Sequence, residues 1–355
     1  DITINGLACG LDGRVIDLVG GVEDLQSRRI RTIGRPEDRF GEDYLRMLRV
    51  VRFACHIGGK IEETTAAAIR RLADRTARIS AERVGEEILR MLQTARSANG
   101  LCLLHELGLL TQIIPELSDC EGVPQPEAYH PEGDVLTHTV EALRVADGFI
   151  RCPVVKLAVM LHDIGKPVAL KRNQGRNMGG HCAIGAKMAI QIARRLRLSK
   201  AQTQHLQFLV RQHMRIADFP KMNRGKQIRF VSEMERDSAR ISDRFHRFFD
   251  VLRLLVADCE ASAHRASGWA PVLQETLRVV DHIDRVCGME RARALIDGHD
   301  LIRLGLRQGP GFGDILTALH DRILVGQIAS RDQALQVARE MIESRASDRN
   351  GEARD

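Results

Sequence analysis

Aromatic residues are scarce in this sequence: its 355 residues include one tryptophan, two tyrosines and ten phenylalanines, which is 4% of the chain. Aromatic and β-branched side chains favour strands, whereas leucine and alanine favour helices. A core built mainly from leucine, alanine, isoleucine and valine therefore favours packing of helix on helix over an aromatic-rich sheet. The length predicts two or three compact units in series rather than one small core.

The chain also lacks paired cysteines. None of its eight cysteines forms a C-x-x-C pair, so the usual spacing of a structural zinc site or a dithiol redox site is absent. We interpret these residues as reduced thiols of a cytoplasmic protein. They are Cys9, Cys55, Cys102, Cys120, Cys152, Cys182, Cys259 and Cys287.

No apolar stretch approaches the roughly 18 residues that a helix needs to span a bilayer, so we expect a soluble protein with no membrane partner. Lysine and arginine number 53 against 47 acids, which gives a formal net charge of +6. That balance is compatible with a polyanionic partner such as a nucleic acid but does not establish one. Nothing in the sequence indicates an oligomeric state.

The predicted fold is mainly α, with a short β-hairpin at the beginning of the chain. Two strand-like segments within residues 1–18 flank Asp12-Gly13, a pair that favours a tight hairpin turn. Beyond residue 35 the apolar periodicity predicts helices only. The first of these runs from Pro36 through Phe53.

The segment GEDYLRMLRVVRF at residues 41–53 places two acids and an arginine at the start of an amphipathic pattern. On one helix, Glu42 and Arg46 are four residues apart and Asp43 and Arg46 three apart, so all three side chains can meet on one face. An isolated E-D-x-x-R is more often a solvated surface ion pair worth a few tenths of a kcal/mol. Its chemistry also allows a second interpretation.

A carboxylate accepts a hydrogen bond from an exocyclic amine, and a guanidinium donates to a ring nitrogen beside that amine. Cytosine and adenine present this pair of groups, whereas guanine and uracil present an oxo group beside an N–H. A clamp formed by Asp43 and Arg46 would therefore accept C and A and reject G and U. Rejection would be strong, because the wrong base leaves the clamp's polar groups unpaired.

The run from DITINGLA through IDLVGGVEDLQSRRIRTIG to RFGEDYLRMLRVVRFA resembles the class II tRNA nucleotidyltransferases, the CCA-adding enzymes, and the related bacterial poly(A) polymerases. In that family an R-R-D motif contacts the ribose, and here Asp1 matches its aspartate. E-D-x-x-R reads the base, which the resemblance assigns to Glu42, Asp43 and Arg46. The family's D-x-x-G-G-x-x-D-L hinge is matched by Asp17, Gly20, Gly21, Asp24 and Leu25.

The resemblance implies a nucleotidyltransferase that uses ATP and CTP on tRNA, with Mg²⁺ for the transfer step. The family's metal-binding D-x-D pair is not present in these 355 residues. We therefore expect the chain to be a fragment whose catalytic head is mostly missing, and not to add nucleotides alone. CCA addition, A-only addition and CC-only addition remain equally compatible with E-D-x-x-R.

The implied layout has a remnant of the head and hinge at 1–34, a helical neck at 35–117 that reads the base and binds RNA, a linker at 118–133, a metal-dependent phosphohydrolase domain at 134–265, a helical tRNA-contacting region at 266–345 and a disordered tail at 346–355. Within the implied phosphohydrolase domain at 134–265, residues 165–180 are predicted to form a glycine-rich basic loop.

A second constellation begins with LHDIGKP at residues 161–167, where His162 and Asp163 follow an apolar helix. Imidazole with carboxylate suits ions such as Mg²⁺, Mn²⁺, Fe²⁺, Co²⁺ or Ni²⁺. One His-Asp pair alone is weak evidence; His299-Asp300, for example, we assign to turn structure. The first pair belongs to a series of histidines and aspartates in the order H…HD…H…H…D. The residues of this series are His138, His162, Asp163, His181, His213 and Asp258.

This order resembles the HD phosphohydrolase superfamily, a domain that several CCA-adding enzymes carry. The resemblance implies one metal held by His138, His162, Asp163 and Asp258. His181 and His213 would hold a second metal or face the phosphate. Asp163 and Lys166 are the implied catalytic residues, with Lys166 contacting a phosphate oxygen.

Three hypotheses follow from the sequence. The first is the nucleotide-reading neck and body of a CCA-adding enzyme with an intact HD domain. The second is a stand-alone metal-dependent phosphatase or phosphodiesterase in which the neck is only a scaffold. The third is a catalytically silent tRNA-binding module, in which the histidines are satisfied core residues.

Overall fold

The structure of the protein is a computed structural model that describes residues 1–128, 130–234, 246–262, 268–286, 289–306, 309 and 311–351. The described part is mainly helical, as the sequence predicts. Its helices are α1 (Gly21–Gln26), α2 (Pro36–Glu42), α3 (Leu45–Ile57), α4 (Glu63–Leu72), α5 (Ala81–Leu92), α6 (Ser97–Glu106), α7 (Leu109–Ile113), α8 (Pro115–Ser118), α9 (Val135–Phe149), α10 (Pro153–Leu161), α11 (Lys166–Arg172), α12 (His181–Arg195), α13 (Lys200–Gln212), α14 (Arg224–Met234), α15 (His246–Ala261), α16 (Ala270–Val286), α17 (Met289–Leu295), α18 (Gly298–Arg303), α19 (Phe312–Leu324) and α20 (Arg331–Gly351).

The remaining regular structure is short. Three 3₁₀ helices lie at Thr3–Asn5, Ala73–Arg78 and Arg215–Lys221. The predicted hairpin is confirmed: β1 (Leu7–Cys9) pairs antiparallel with β2 (Val15–Asp17). The turn between them contains Gly13 at φ +79°, a conformation that glycine adopts without steric cost.

The prediction of helices only beyond residue 35 is wrong at one place. Strand β4 (Lys60–Ile61) pairs in parallel with β3 (Arg29–Ile30). Two residues per strand are too few to show a period, so helical periodicity on either side conceals them.

The predicted single helix from Pro36 through Phe53 is also wrong, because it is interrupted at Asp43. That residue is extended, with φ −156° and ψ 106°, and it ends α2. Its Oδ1 accepts the backbone N–H of Leu45 at 3.1 Å, which satisfies one of the free amides at the start of α3. Pairing of the Asp43 side chain with the backbone thus competes with continuation of the helix.

Two further predictions need correction. The loop predicted at 165–180 contains α11, whose second residue Pro167 has a backbone suited to a first helical turn. The tail predicted to be disordered at 346–355 is helical as far as Gly351, the end of α20. Ala346 and Arg349 in that segment are good helix formers, which the polar composition obscured, and residues 352–355 lie outside the described residues.

The chain divides into two compact units. The first comprises Asp1–Ile216 with Asp250–Trp269, and the second comprises Ala217–Phe249 with Ala270–Asp355. This division is coarser than the predicted domain boundaries, which stay a prediction. None of the described helices is both long enough and apolar enough to cross a membrane.

In the first unit, α3 packs on α5, α6 packs on α9, and α10 packs on both α5 and α13. These contacts join the predicted neck to the helices that carry the histidine motifs. A buried ion pair lies at this junction: Lys156 Nζ is 2.5 Å from Asp147 Oδ1. The same ammonium donates to the carbonyl oxygen of Thr94 at 2.6 Å, and Asp147 accepts from Ser97 Oγ at 2.5 Å.

The second unit has its own aromatic core. The rings of Phe219, Phe230 and Phe248 lie with centroids 5.3–6.1 Å apart. Helix α14 packs on α19, and α19 packs on α20. His299-Asp300, predicted to be a turn, lies in α18, where Asp300 forms a capping box with Asp297.

Candidate functional site

The E-D-x-x-R motif straddles the break between α2 and α3. Glu42 is the last residue of α2, and Arg46 lies in the first turn of α3. Their predicted ion pair forms, with Arg46 Nη1 2.5 Å from Glu42 Oε2. The same nitrogen donates to the carbonyl oxygen of Arg39 at 2.7 Å. The guanidinium therefore bridges the two helices.

Asp43 has a different partner from the one expected. Its carboxylate pairs with Arg83 on α5, with Arg83 Nη2 2.6 Å from Asp43 Oδ2. Partial burial acts to raise the pKa of Asp43, but the hydrogen bonds from Arg83 and from the Leu45 amide outweigh it, so the pKa is lowered. Arg46 acts on Asp43 only through its charge. The direct Asp43–Arg46 clamp is thus not formed in this structure.

Asp1 lies beside these residues. Its carboxylate forms an ion pair with Arg49, on the next turn of α3 after Arg46. We call Asp1, Glu42, Asp43, Arg46, Arg49 and Arg83 the reader cluster.

The reader cluster is open to solvent. The side chain of Arg46 is 22% exposed, that of Asp43 32% and that of Glu42 45%. A ligand can therefore reach both the acids and the guanidinium groups. Two open cavities of the first unit, of about 480 Å³ and 360 Å³, are lined by other residues.

The residues that match the hinge motif build the turn before α1. Asp17 Oδ1 accepts the backbone N–H of Gly21 at 3.0 Å, and Asp17 Oδ2 accepts that of Val22 at 2.9 Å. A Cβ atom at Gly21 would lie 2.3 Å from the carbonyl oxygen of Thr3, so only glycine fits there. These contacts hold the hairpin against α1.

Asp24, the second acid of that motif, is fully buried. It accepts hydrogen bonds from Thr3 Oγ1 at 2.6 Å, Arg29 Nε at 2.6 Å and Arg31 Nε at 2.7 Å. Burial acts to raise the pKa of Asp24, but these three donors lower it. Arg29 and Arg31 are therefore occupied with this carboxylate.

The second constellation converges in three dimensions from five helices and their ends. His138 lies on α9, the His162-Asp163 pair follows α10, and Asp258 lies on α15. His181 begins α12, and His213 follows α13. We call His138, His162, Asp163, His181, His213 and Asp258 the His–Asp cluster.

One half of the His–Asp cluster surrounds Asp258. His138 Nε2 is 3.0 Å from Asp258 Oδ1, and His162 Nε2 is 3.7 Å from the same oxygen. His162 Nε2 also lies 3.2 Å from Asp163 Oδ2. His138, His162 and Asp163 are each at most 3% exposed.

The other half surrounds the second oxygen of Asp163. Asp163 Oδ1 is 3.3 Å from His181 Nε2 and 3.7 Å from His213 Nε2. The two imidazole nitrogens are 3.3 Å apart. Asp163 is thus shared, with one carboxylate oxygen turned toward each half.

All four histidines of the His–Asp cluster have Nδ1 engaged outside it. His138 Nδ1 is 2.5 Å from Glu132 Oε1. In the other three, Nδ1 lies near the backbone carbonyl oxygen three residues earlier: 2.7 Å for His162, 3.0 Å for His181 and 2.8 Å for His213. Because a carbonyl oxygen can only accept, these contacts assign the proton to Nδ1 and leave Nε2 facing the cluster.

The charges in the cluster are strongly perturbed. Burial acts to raise the pKa of Asp163, but the charges of His162 and Lys166 hold it well below its usual range. Burial acts to lower the pKa of His181, whereas the hydrogen bond with Asp163 raises it to about 10. Burial and the charge of His162 lower the pKa of His213 to about 4.

The cluster fits a divalent cation. His162 Nε2 is buried and has no hydrogen-bond partner, although it points between two carboxylates. An unpaired buried nitrogen is costly, and a metal ligand is one of the few roles that explains it. Imidazole with carboxylate is a suitable donor set for first-row divalent ions and, with oxygen dominant, for Mn²⁺ or Mg²⁺. His138, His162, Asp163 and Asp258 would hold one such ion.

Lys166 adjoins this centre. Its Nζ is 2.5 Å from Asp163 Oδ2 and 2.5 Å from Gln125 Oε1. The loop before it is tightly packed, because a Cβ atom at Gly165 would lie 2.2 Å from the carbonyl oxygen of His181. Glycine at that position therefore lets α11 and α12 approach closely enough to bring Lys166 and His181 to the same carboxylate.

Comparisons with known proteins bear on both sites. Residues 59–120 match the family model described as "Probable RNA and SrmB- binding site of polymerase A". An A-adding tRNA nucleotidyltransferase from Deinococcus radiodurans is 30% identical over 94% of this chain and 76% of its own length. A multifunctional CCA protein from Cupriavidus metallidurans is 30% identical over 96% of this chain and 78% of its own.

The chain belongs to the class II tRNA nucleotidyltransferase family. Among solved structures, the fold superposes on the CCA-adding enzyme of Bacillus stearothermophilus in complex with CTP with a TM-score of 0.64 and 23% identity. That match covers 98% of this chain and 74% of the other. This match shows that the two chains share a mostly helical fold.

For this nucleotidyltransferase, the structure brings together all six predicted residues of the His–Asp cluster and all four predicted residues around E-D-x-x-R. Sequence reasoning missed the partners that come from elsewhere in the chain. Arg83 and Arg49 had no signal, because neither stands at a spacing that points to the acids. Glu132 lies in HPEGD, six residues before His138, and Cys182 directly follows His181; both could have been noticed as neighbours of predicted ligands.

Proposed function

We propose that this nucleotidyltransferase chain selects the nucleotide and binds the tRNA in CCA addition to tRNA 3′ ends, with CTP and ATP as substrates. Identity of 30% over 96% of the chain with a multifunctional CCA protein is the observation that carries the proposal. The RNA-binding family model over residues 59–120 supports tRNA as the partner. Seven described cysteines, all free thiols, support a cytoplasmic location.

The reader cluster would select the base by exchanging partners. Asp43 now pairs with Arg83, and Arg46 pairs with Glu42, so each charge is compensated before a ligand arrives. An incoming cytosine or adenine would offer an amine to the Asp43 carboxylate and a ring nitrogen to the Arg46 guanidinium. On the same edge guanine and uracil present an oxo group beside an N–H, so neither contact would form and breaking the two ion pairs would go uncompensated.

A two-metal phosphoryl transfer site needs carboxylates close together, and the D-x-D pair that would hold Mg²⁺ for the transfer step does not occur in the sequence. The role proposed for these residues is therefore to bind and orient substrates.

Equilibrium binding of the four ribonucleoside triphosphates tests base selection without turnover. We expect CTP and ATP to bind about tenfold more tightly than GTP and UTP, since one bidentate contact is worth about 1–3 kcal/mol of discrimination. Asp43→Ala and Arg46→Ala should each remove most of that difference. Asp38→Ala is the matched control, an exposed acid on α2 that is not in the reader cluster.

Equal affinity for all four nucleotides in the wild-type chain would contradict base selection. If Asp43→Ala weakened the binding of all four nucleotides equally, base selection would also be contradicted, because the carboxylate would then contact a feature that every nucleotide shares. A uniform loss in Asp38→Ala would indicate a general effect on α2.

We propose a second function for the same chain, metal-dependent phosphoester hydrolysis at the His–Asp cluster. Four Nε2 atoms directed inward and the unpartnered nitrogen of His162 are the observations that favour it. A bound ion would supply charge neutralisation for a phosphoester. Lys166, beside Asp163, is placed to contact a phosphate oxygen, and Gln125 holds the ammonium in position.

Hydrolysis of a 2′,3′-cyclic nucleotide with added Ni²⁺, Co²⁺, Mn²⁺ or Mg²⁺ tests this second function. His162→Ala should lower the rate at least about a hundredfold, because even outer-shell changes cost about 10–100-fold at metal sites. His56→Ala, an exposed histidine at the end of α3, is the control. No hydrolysis by the wild-type chain with any of these ions would favour a catalytically silent tRNA-binding module.

A further inference from the structure

A thiol lies beside the second half of the His–Asp cluster. Cys182 Sγ is 3.5 Å from His181 Nε2, and the sulfur and the imidazole nitrogens of His181 and His213 all lie within 4.8 Å of one another. We propose that His181, Cys182 and His213 form a thiolate-containing metal position that prefers Zn²⁺ or Co²⁺ to Mg²⁺. The inference rests on the proposed phosphohydrolase function and concerns which ion its second position takes.

Two of the three distances between donors match those around a tetrahedral ion. Zn–N bonds of about 2.0–2.1 Å and Zn–S bonds of about 2.3 Å place two nitrogens about 3.4 Å apart, and nitrogen and sulfur about 3.6 Å apart. Here His181 Nε2 and His213 Nε2 are 3.3 Å apart, and Cys182 Sγ lies 3.5 Å from His181 Nε2. A tetrahedral ion would therefore need little movement of these side chains.

The two histidines present the correct atoms. Each has Nδ1 near a backbone carbonyl oxygen, so Nε2 is the atom left to bind. His213 is fully buried and His181 is nine-tenths buried, which limits competition from water. Asp163 Oδ1, 3.3 Å from His181 Nε2, is the nearby carboxylate that would balance the charge of an ion there.

Cys182 is placed to supply a sulfur ligand. It occupies the second position of α12, a helix of 15 residues, directly after His181, and its Sγ lies 3.5 Å from His181 Nε2. Thiolate ligands are soft and select zinc-like ions, whereas carboxylate and water ligands suit magnesium. None of the contacts described for His138 and Asp258 involves a sulfur atom. The two halves of the cluster should therefore prefer different ions.

Cobalt is the direct probe, because sulfur bound to Co²⁺ gives a charge-transfer band in the near ultraviolet that nitrogen and oxygen ligands do not. The full chain would be titrated with Co²⁺ and its absorption recorded, followed by displacement with Zn²⁺. Cys182→Ser and Cys182→Ala remove the sulfur, and Cys102→Ser is a matched control at a half-buried cysteine on α6.

We expect the band in the wild type and in Cys102→Ser, and its absence in both Cys182 variants. Zn²⁺ affinity should fall at least about tenfold in Cys182→Ser, since ligand loss should cost no less than loss of an outer-shell partner. Binding of Mn²⁺ at the other half should persist, which also shows that the variant is folded.

Two results would overturn the proposal, and only one of them would also exclude the phosphohydrolase function. Co²⁺ binding without a sulfur band, or a band that survives in Cys182→Ser, would exclude Cys182 as a ligand and leave the phosphohydrolase function intact. No binding of either Co²⁺ or Mn²⁺ by the wild type would overturn this proposal and the phosphohydrolase function together.

Discussion

The buried ion pair between Asp147 and Lys156 should control the stability of the first unit. Lys156 is fully buried and Asp147 is 7% exposed. Besides the 2.5 Å contact between them, Asp147 accepts from Ser97 Oγ and from the Ala98 amide, and Lys156 donates to a backbone carbonyl. The pair therefore ties α6 of the neck to α9 and α10, which lead to the His–Asp cluster.

The magnitude follows from what each substitution leaves behind. Asp147→Ala leaves a buried ammonium with one acceptor, and removal of one partner from a buried pair costs about 3–5 kcal/mol. Lys156→Met leaves a carboxylate that keeps two donors, so about 3 kcal/mol is expected. The double variant Asp147→Ala with Lys156→Met leaves no buried charge, and we expect it to be at least about 2 kcal/mol more stable than the sum of the single effects.

Urea unfolding followed by the fluorescence of Trp269 measures these values, because the only tryptophan lies in the first unit. Ser118→Ala, at the end of α8 and away from the pair, serves as the control. Single variants that cost under about 1 kcal/mol, or effects that simply add, would refute the reasoning that the pair is desolvated and coupled.

Three further predictions concern a buried carboxylate, a tightly packed glycine and two basic residues on α11. Because the pKa of Asp24 is lowered in the folded state, its carboxylate stabilises the fold fully above the ordinary pKa of about 4, and this stabilisation is lost as pH falls through the lowered pKa. The difference in unfolding free energy between wild type and Asp24→Asn should therefore shrink in acid. Urea unfolding at pH 7 and about pH 3 measures this difference. Gly165→Ala should weaken Zn²⁺ binding at least about tenfold by forcing His181 away, whereas Gly148→Ala, with open space around it, should not; calorimetric titration decides. Binding of tRNA should weaken with salt, and neutralising Lys171 or Arg172 on α11 should each lower the slope of log affinity against log salt by about one; an unchanged slope would exclude phosphate contacts there.

Sequence reasoning succeeded where one local signal decides the structure. The hairpin around Asp12-Gly13 needs only a turn with a left-handed glycine, which Gly13 supplies. The helical character follows from apolar spacing in residues that pack on one another. Both signals lie within about ten residues, so neither depends on the rest of the fold.

The break at Asp43 shows where periodicity is insufficient. The apolar pattern continues through it, because both α2 and α3 turn the same face to the core: Phe40, Leu45 and Leu48 are all buried. The interruption comes from one carboxylate that bonds to the Leu45 amide and to Arg83 on α5. The partner that favours the extended form stands 40 positions away in the sequence, beyond the reach of any helical spacing.

The His–Asp cluster was predicted residue by residue, whereas its inner arrangement could not be. The order of histidines and aspartates indicates a centre, but the sharing of Asp163 between two halves depends on helix packing around Gly165. The support of His138 by Glu132 depends on the path of the loop before α9. Both arrangements depend on tertiary contacts, and both decide which atoms face the ligand.

A crystal structure of the chain with CTP tests base selection most directly. We predict that the cytosine amine donates to the Asp43 carboxylate and that its N3 accepts from the Arg46 guanidinium, each at about 3 Å. Cytosine bound elsewhere, with Asp43 still on Arg83 and Arg46 still on Glu42, would contradict base reading by these residues.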